Sequence, residues 1–141
     1  ADLCVNAKIV PMVNQVELHP FFSQDEALET MNEFGVRPEA WGPLAEGKHG
    51  IFTNETLNTI AKKHSKTIAQ VVLRWNVQRG VVIIPKSVHK ERMEENLTIW
   101  DFELDSEDMA AIRSLDLGRS EIVNHSTAET AKWLNSWKIH D

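Results

Sequence analysis

Lys86, Ser87, Arg92, Glu95 and Asn96 lie within one short stretch of the chain and carry the groups needed to grip an anion. The apolar run Val81-Val82-Ile83-Ile84 comes just before them and reads as a parallel strand buried on both faces, and a helix is expected from about His89 to Asn96. A strand end that runs into a helix start leaves backbone N–H groups free, and the helix dipole there favours negative charge. Lys86 adds a full positive charge and Ser87 a hydroxyl donor, while Arg92, about one turn into the helix, has the planar fork that suits a phosphate. The plainer reading of the same residues is a strand-end lysine in water with a capping serine. Spacing alone does not choose between the two.

The elements that must position these residues are legible upstream. Met12 to Leu18 is rich in Val and partly alternating, so it reads as a strand, which His19-Pro20 ends. Ser23-Gln24-Asp25-Glu26 has the form of a capping box, with Ser at the cap and Glu three residues on. The helix it opens places Ala27, Leu28, Met31 and Phe34 on one face and stops at Gly35. Val36 to Trp41 is a second strand, followed by a loop from Gly42-Pro43-Leu44 through Gly47 and Gly50. Asn54 can cap a helix bearing Leu57, Ile60 and Ala61. From Thr67 to Arg79, Ile68, Val71, Val72 and Trp75 repeat at helical spacing until Gly80. A last regular helix begins near Asp105-Ser106 with Met109, Ile112 and Leu115 inward. Beyond Gly118 the pattern fades into a tail with one short amphipathic helix around Trp133, Leu134 and Trp137. Strands alternating with helices give an α/β class with parallel strands and crossover helices.

Composition bounds the function. The 141 residues suit one domain, and the 42% hydrophobic and 26% charged content is that of an ordinary soluble protein. A net charge of −6 argues against an electrostatic nucleic-acid binder and gives no support to an anionic membrane surface as partner. No apolar run approaches the ~20 residues of a membrane span, and no signal peptide is expected. Cys4 is the single cysteine, which excludes an internal disulfide and fits a reducing, cytoplasmic location. No metal site is expected. Asn54-Glu55-Thr56, Asn96-Leu97-Thr98 and Asn124-His125-Ser126 match the glycosylation pattern and are read as chance matches. The chain starts at Ala1 without Met, which points to a cut or processed start.

Three motifs, taken together, resemble the aldo-keto reductase superfamily. Ile84-Pro85-Lys86-Ser87-Val88, then Arg92 and Glu95-Asn96, resembles its cofactor-binding signature. Asn14-Gln15-Val16-Glu17-Leu18-His19-Pro20 resembles its sixth barrel strand, and Trp41-Gly42-Pro43-Leu44 the seventh in the form of bacterial-type members. The resemblance runs from Asn14 to about Leu117. It implies the C-terminal part of a (β/α)8 barrel, about strands six to eight, over residues 1–118, with a C-terminal tail over 119–141. It implies NADP as cofactor: Lys86 and Ser87, with the Val88 backbone, on the adenosine 2′-phosphate, Arg92 on the adenine and its phosphate, and Glu95 and Asn96 on the adenine amino edge. Gln15 would bind the nicotinamide carboxamide and Trp41 would stack on that ring. Gly42 and Leu44 would contact the pyrophosphate, and His19 would be structural. Gln15 as a strand-end amide and Trp41 as ordinary core are the plainer alternatives.

The resemblance also implies what is missing. The family reduces aldehydes and ketones with Asp, Tyr, Lys and His from earlier strands, and this sequence contains no tyrosine. A closed barrel has eight strands in about 250 residues, so three strands leave two open edges. The chain is then a fragment, or is completed by an N-terminal half-barrel in cis or trans. Otherwise it persists as a non-catalytic half-barrel that binds a partner or oligomerises. No catalytic residue is assigned within it.

Overall fold

The computed structural model describes residues 1–125 and 127–137. Ser126, part of the third glycosylation-like match, and residues 138–141 of the tail lie outside the described residues. Three strands, β1 (Val13–Glu17), β2 (Arg37–Trp41) and β3 (Val82–Ile83), form one parallel sheet in the order β1-β2-β3. Val13 to Glu17 pair with Arg37 to Trp41, and Glu39 and Ala40 pair with Val82 and Ile83. Parallel neighbours need crossovers. Helix α2 (Asp25–Glu33) supplies the first, and α3 (Glu55–Lys63) with α4 (Ile68–Gln78) the second. A short α1 (Asp2–Asn6) precedes the sheet, while α5 (Lys90–Leu97), α6 (Ser106–Arg113) and α7 (Ala128–Asn135) follow it.

Local chemistry explains the crossover helices. Thr67 Oγ1 accepts from the Gln70 N–H at 3.2 Å and Gln70 Oε1 accepts from the Thr67 N–H at 3.1 Å, which closes the capping box that opens α4. Val71, Val72 and Trp75 then recur on one face and share one buried core with Leu57 and Ile60 of α3 and Ile112 of α6. Asn54 caps α3 by accepting from the Leu57 N–H at 3.1 Å. Each fully buried aliphatic or aromatic side chain in this layer contributes about 1.5–3 kcal/mol.

Two expectations fail here, and both failures have a physical cause. Ser23 does not cap α2. The helix starts at Asp25, and Gln24 precedes it in the left-handed region (φ 57°) without a side-chain cap. Ser23 is fully buried, and its hydroxyl donates to Asp116 Oδ2 at 2.6 Å. A charge-assisted bond of that kind outcompetes a local cap. The run Val81–Ile84 is not buried on both faces either. Val81 is buried in the core, but Val82 is 39% and Ile84 67% exposed, because side chains alternate along a strand and the face carrying Val82 and Ile84 is left uncovered. The opposite edge is similar, with Met12 and Val13 exposed where β1 starts. Ile84, Met93, Leu97 and Trp100 border an apolar cleft beside β3.

Asp108 ties α6 to α3. Its carboxylate accepts from Lys63 Nζ at 2.8 Å and faces His64 Nε2 at 2.7 Å, while its own N–H is capped by Asp105 at 2.9 Å. Burial alone would raise its pKa, but Lys63, His64 and the Asp105 N–H outweigh burial and hold it below the usual carboxylate range. A carboxylate depressed in the folded state stabilises above its unfolded pKa, and that contribution is lost as pH falls through the folded value. Asp108→Asn is therefore expected to cost about 1–3 kcal/mol at neutral pH. The cost should hold steady down to about pH 5 and shrink below the ordinary Asp value of about 4. Urea unfolding of both proteins across pH checks this.

Candidate functional site

Because the three strands run parallel, their C-terminal ends share one edge of the sheet, where side chains from distant parts of the sequence meet. Two clefts open there. The first, about 530 Å³, is lined by Gln15 and Glu17 of β1, by Trp41 at the end of β2, and by tail residues including Arg119, Ser120, Val123 and His125. The second, also about 530 Å³, is lined by Lys86, Ser87, Arg92, Glu95 and Asn96, by Leu44 of the β2–α3 loop, and by Phe52, Lys62, Lys66 and Thr67. The chain passes from the first cleft to the second through Gly42 and Pro43. Of the site residues expected from sequence, Gly42 and Val88 lie outside both linings, Gly42 in the chain between the clefts and Val88 70% exposed on the surface.

The second cleft is cationic. Lys62, Lys66, Lys86 and Arg92 line it against a single acid, Glu95. Lys66 is paired with Asp101 at 2.7 Å, whereas Lys62, Lys86 and Arg92 form no ion pair among the described residues. Glu95 accepts a hydrogen bond from the Thr67 hydroxyl, and Gln70 Nε2 donates to the Glu95 carbonyl at 3.1 Å and to that of Thr98 at 2.8 Å. The start of α4 thus fixes the end of α5. The helix-start geometry expected for Lys86 and Ser87 is modified. Helix α5 begins at Lys90, and the Ser87 hydroxyl accepts from the His89 N–H at 3.1 Å, so Ser87 closes a turn ahead of the helix rather than capping it.

The first cleft combines an amide and an aromatic ring. Gln15 Nε2 donates to Glu39 Oε1 at 2.5 Å across the strand pair, which orients the amide. Trp41 meets His125 edge-on, with ring centroids 6.4 Å apart. Glu17 is buried at the cleft floor and accepts from the Ser120 hydroxyl at 2.6 Å and from the Glu121 and Ile122 N–H groups at 2.9 and 3.1 Å. Burial would raise its pKa, but these donors and His19 more than offset burial and keep it below the usual range. His19 is fully buried 3.1 Å from Glu17, and burial pushes its own pKa down against the pull of that carboxylate. Neutral His19 then donates from Nε2 to Glu17, as a structural rather than a catalytic histidine would.

Several of these residues give no signal in the sequence spacing. Lys62, Lys66 and Thr67 sit a helix away from the Lys86 stretch, and only the crossover packing brings them in. Glu39 is the direct register partner of Gln15, which alternation on two adjacent parallel strands could have shown. The Glu17 contacts to tail N–H groups carry no side-chain signature.

With this geometry in hand, comparison with known proteins is direct. The family model described as "Aldo/keto reductase family" matches residues 3–117. The chain belongs to the aldo/keto reductase family, whose fold is a (β/α)8 barrel. It is 49% identical over 115 residues to the glyoxal reductase of Bacillus subtilis (strain 168), covering 82% of this chain and 41% of that protein. Among solved structures, an aldo-keto reductase from a Medee basin deep-sea metagenome library matches with a TM-score of 0.83 and 40% identity, over 89% of this chain and 47% of that one. A variant of Gox0644 in complex with NADPH matches with a TM-score of 0.79 and 40% identity, over 92% and 46% of the two chains. The chain therefore spans less than half the length of these relatives.

Gly42 is the tightest point of the site. Its φ is +66°, and an added Cβ would lie 2.8 Å from Ile122 Cδ1. Gly42→Ala is expected to cost about 1–2 kcal/mol from the left-handed backbone. The Ile122 side chain, whose terminal methyl makes the contact, should turn aside, and the change is read as a lower unfolding midpoint.

Proposed function

We propose that this chain is the cofactor-binding C-terminal part of an NADP-dependent oxidoreductase that reduces aldehydes or ketones to alcohols by hydride transfer. The observation that carries this reading is the division of labour between the two clefts. One holds an amide and an aromatic ring, the other a cluster of cations, with a glycine in the connecting chain. A dinucleotide phosphate has the same two ends.

In this reading Lys86 and Ser87 bind the 2′-phosphate, with the Val88 backbone alongside, and Arg92 lies over the adenine and its phosphate. Lys62 adds to the positive field. Two extra negative charges at the 2′ position are then matched by cations, so NADP is favoured over NAD. Glu95 and Asn96 face the adenine amino edge, Glu95 being steadied by Thr67. Gly42 and Leu44 border the pyrophosphate. Gln15, its amide oriented by Glu39, takes the carboxamide, and Trp41 gives the nicotinamide a flat wall that fixes the face it presents. When bound, the cofactor supplies the hydride. The proton must come from elsewhere, since the sequence has no tyrosine and no group of the two clefts is assigned that task.

The sheet then corresponds to strands six to eight of the barrel, with residues 1–118 as its wall and 119–141 as the tail. The exposed apolar edges at Met12–Val13 and Val82–Ile84 await further strands, supplied in cis or by a partner chain in a cytoplasmic protein. Those same edges favour a second reading, a non-catalytic half-barrel that pairs its edges in an oligomer. A mass measurement with an assay of aldehyde reduction on the intact native protein separates the two. Activity in a longer product or a two-chain complex supports the enzyme, whereas an inactive oligomer of this chain alone supports the module.

Cofactor choice is the sharper test. Lys86→Met is expected to weaken NADP binding about 10- to 100-fold, as loss of a charge-assisted contact would, and to leave NAD binding nearly unchanged. Fluorescence titration with both nucleotides measures it, and equal losses would contradict the 2′-phosphate role.

A further inference from the structure

Hydride and proton transfer make no demand on Glu17, yet it is among the most heavily bonded side chains of the site. It lies two residues beyond Gln15 at the end of β1 and is 4% exposed. One of its donors is local, His19 Nε2 at 3.1 Å. The others belong to the tail, 103 or more residues along the chain: the Ser120 hydroxyl at 2.6 Å and the N–H groups of Glu121, Ile122 and Val123 at 2.9, 3.1 and 3.4 Å. Ser120 Oγ also accepts from the Val123 N–H at 3.1 Å, so the turn is closed on itself as well as on the carboxylate.

The turn held in this way presses on the loop after β2 at two points. Ile122 Cδ1 lies 2.8 Å from the position a Cβ on Gly42 would take. Glu121 Oε2 lies 3.3 Å from His49 Nδ1. Gly42 and His49 bracket the loop that separates the Gln15–Trp41 cleft from the Lys86–Arg92 cleft, and Leu44 within it lines the latter.

We propose that Glu17 is a positioning residue for the bound dinucleotide: by fixing the 120–123 turn it makes the tail a strap across the Gly42–His49 loop, and that strap sets how fast the cofactor leaves. The proposal rests on reading the two clefts as an NADP site. A molecule occupying both clefts must pass Gly42, so whatever pins Gly42 and His49 resists its departure. A carboxylate suits this task because two oxygens, with four lone-pair sites, can take a hydroxyl and several backbone N–H groups together, and bonds to a charged acceptor are stronger than neutral ones. Glutamine has one acceptor oxygen, and its amide would oppose the converging N–H donors.

The test uses the intact native protein. Release of NADPH is followed by stopped-flow fluorescence, and the amides of 121–123 by hydrogen exchange. Glu17→Gln is expected to speed exchange at these amides and to raise the release rate about tenfold, the effect of losing a hydrogen bond to a charged group. Ser120→Ala, a gentler change at the turn itself, should shift both readouts the same way, with release about threefold faster for a weaker single bond. Should Glu17→Gln fail to fold, Ser120→Ala decides alone. Faster exchange with unchanged release would make Glu17 a structural anchor only and overturn the proposal, as would no change in either. If the unsubstituted protein binds no NADP(H) at all, the cofactor reading itself fails and the proposal falls with it. Binding by that protein with release unaltered in the variants sinks the proposal alone.

Discussion

Parallel pairing of β1, β2 and β3 is the constraint on which the rest depends. It forces a crossover between each pair of strands, and the crossovers bring α2, α3 and α4 against the sheet to make the core. It also sends the three C-terminal strand ends to one edge, so that Gln15, Trp41 and Lys86, far apart in sequence, reach the same side of the molecule. In an antiparallel sheet one of them would point the opposite way, and the two clefts could not be neighbours.

The same constraint explains why the sheet is incomplete as it stands. A parallel strand is satisfied only with a partner on each side, and β1 and β3 each have one. Hydrophobic side chains at Met12, Val13, Val82 and Ile84 along these edges are also exposed. The relatives have more than twice the matched length. Within the chain, polar contacts are arranged so that buried charge is met. Asp108 has Lys63 and His64, and Glu17 has the tail.

Much of the architecture is legible in the residues because its signals are local. Asn54 and Thr67 cap the helices that follow them, and apolar residues at helical spacing mark the buried face of α4. The site was approachable for a similar reason, since Lys86, Ser87, Arg92, Glu95 and Asn96 of the cationic cleft fall in one stretch. What was not legible depends on contacts across long separations. Ser23 has every local feature of a cap, but its partner Asp116 is 93 residues away. Burial of the Val81–Ile84 run was inferred from its hydrophobicity, which reports what a strand needs rather than what surrounds it. Lys62 and Lys66 join the cleft through the packing of α3 and α4. The tail turn binds Glu17 through backbone N–H groups, which every residue type but proline possesses, so no pattern of side chains announces it.

The central claim is that the two clefts receive the two ends of one NADP molecule. The most direct measurement is a crystal structure of the intact native protein with NADP bound. The account predicts the 2′-phosphate within hydrogen-bonding distance of Lys86 Nζ and the Ser87 hydroxyl, and the nicotinamide against Trp41 with its carboxamide on Gln15. A 2′-phosphate in solvent, or a nicotinamide lying away from Trp41, would contradict it.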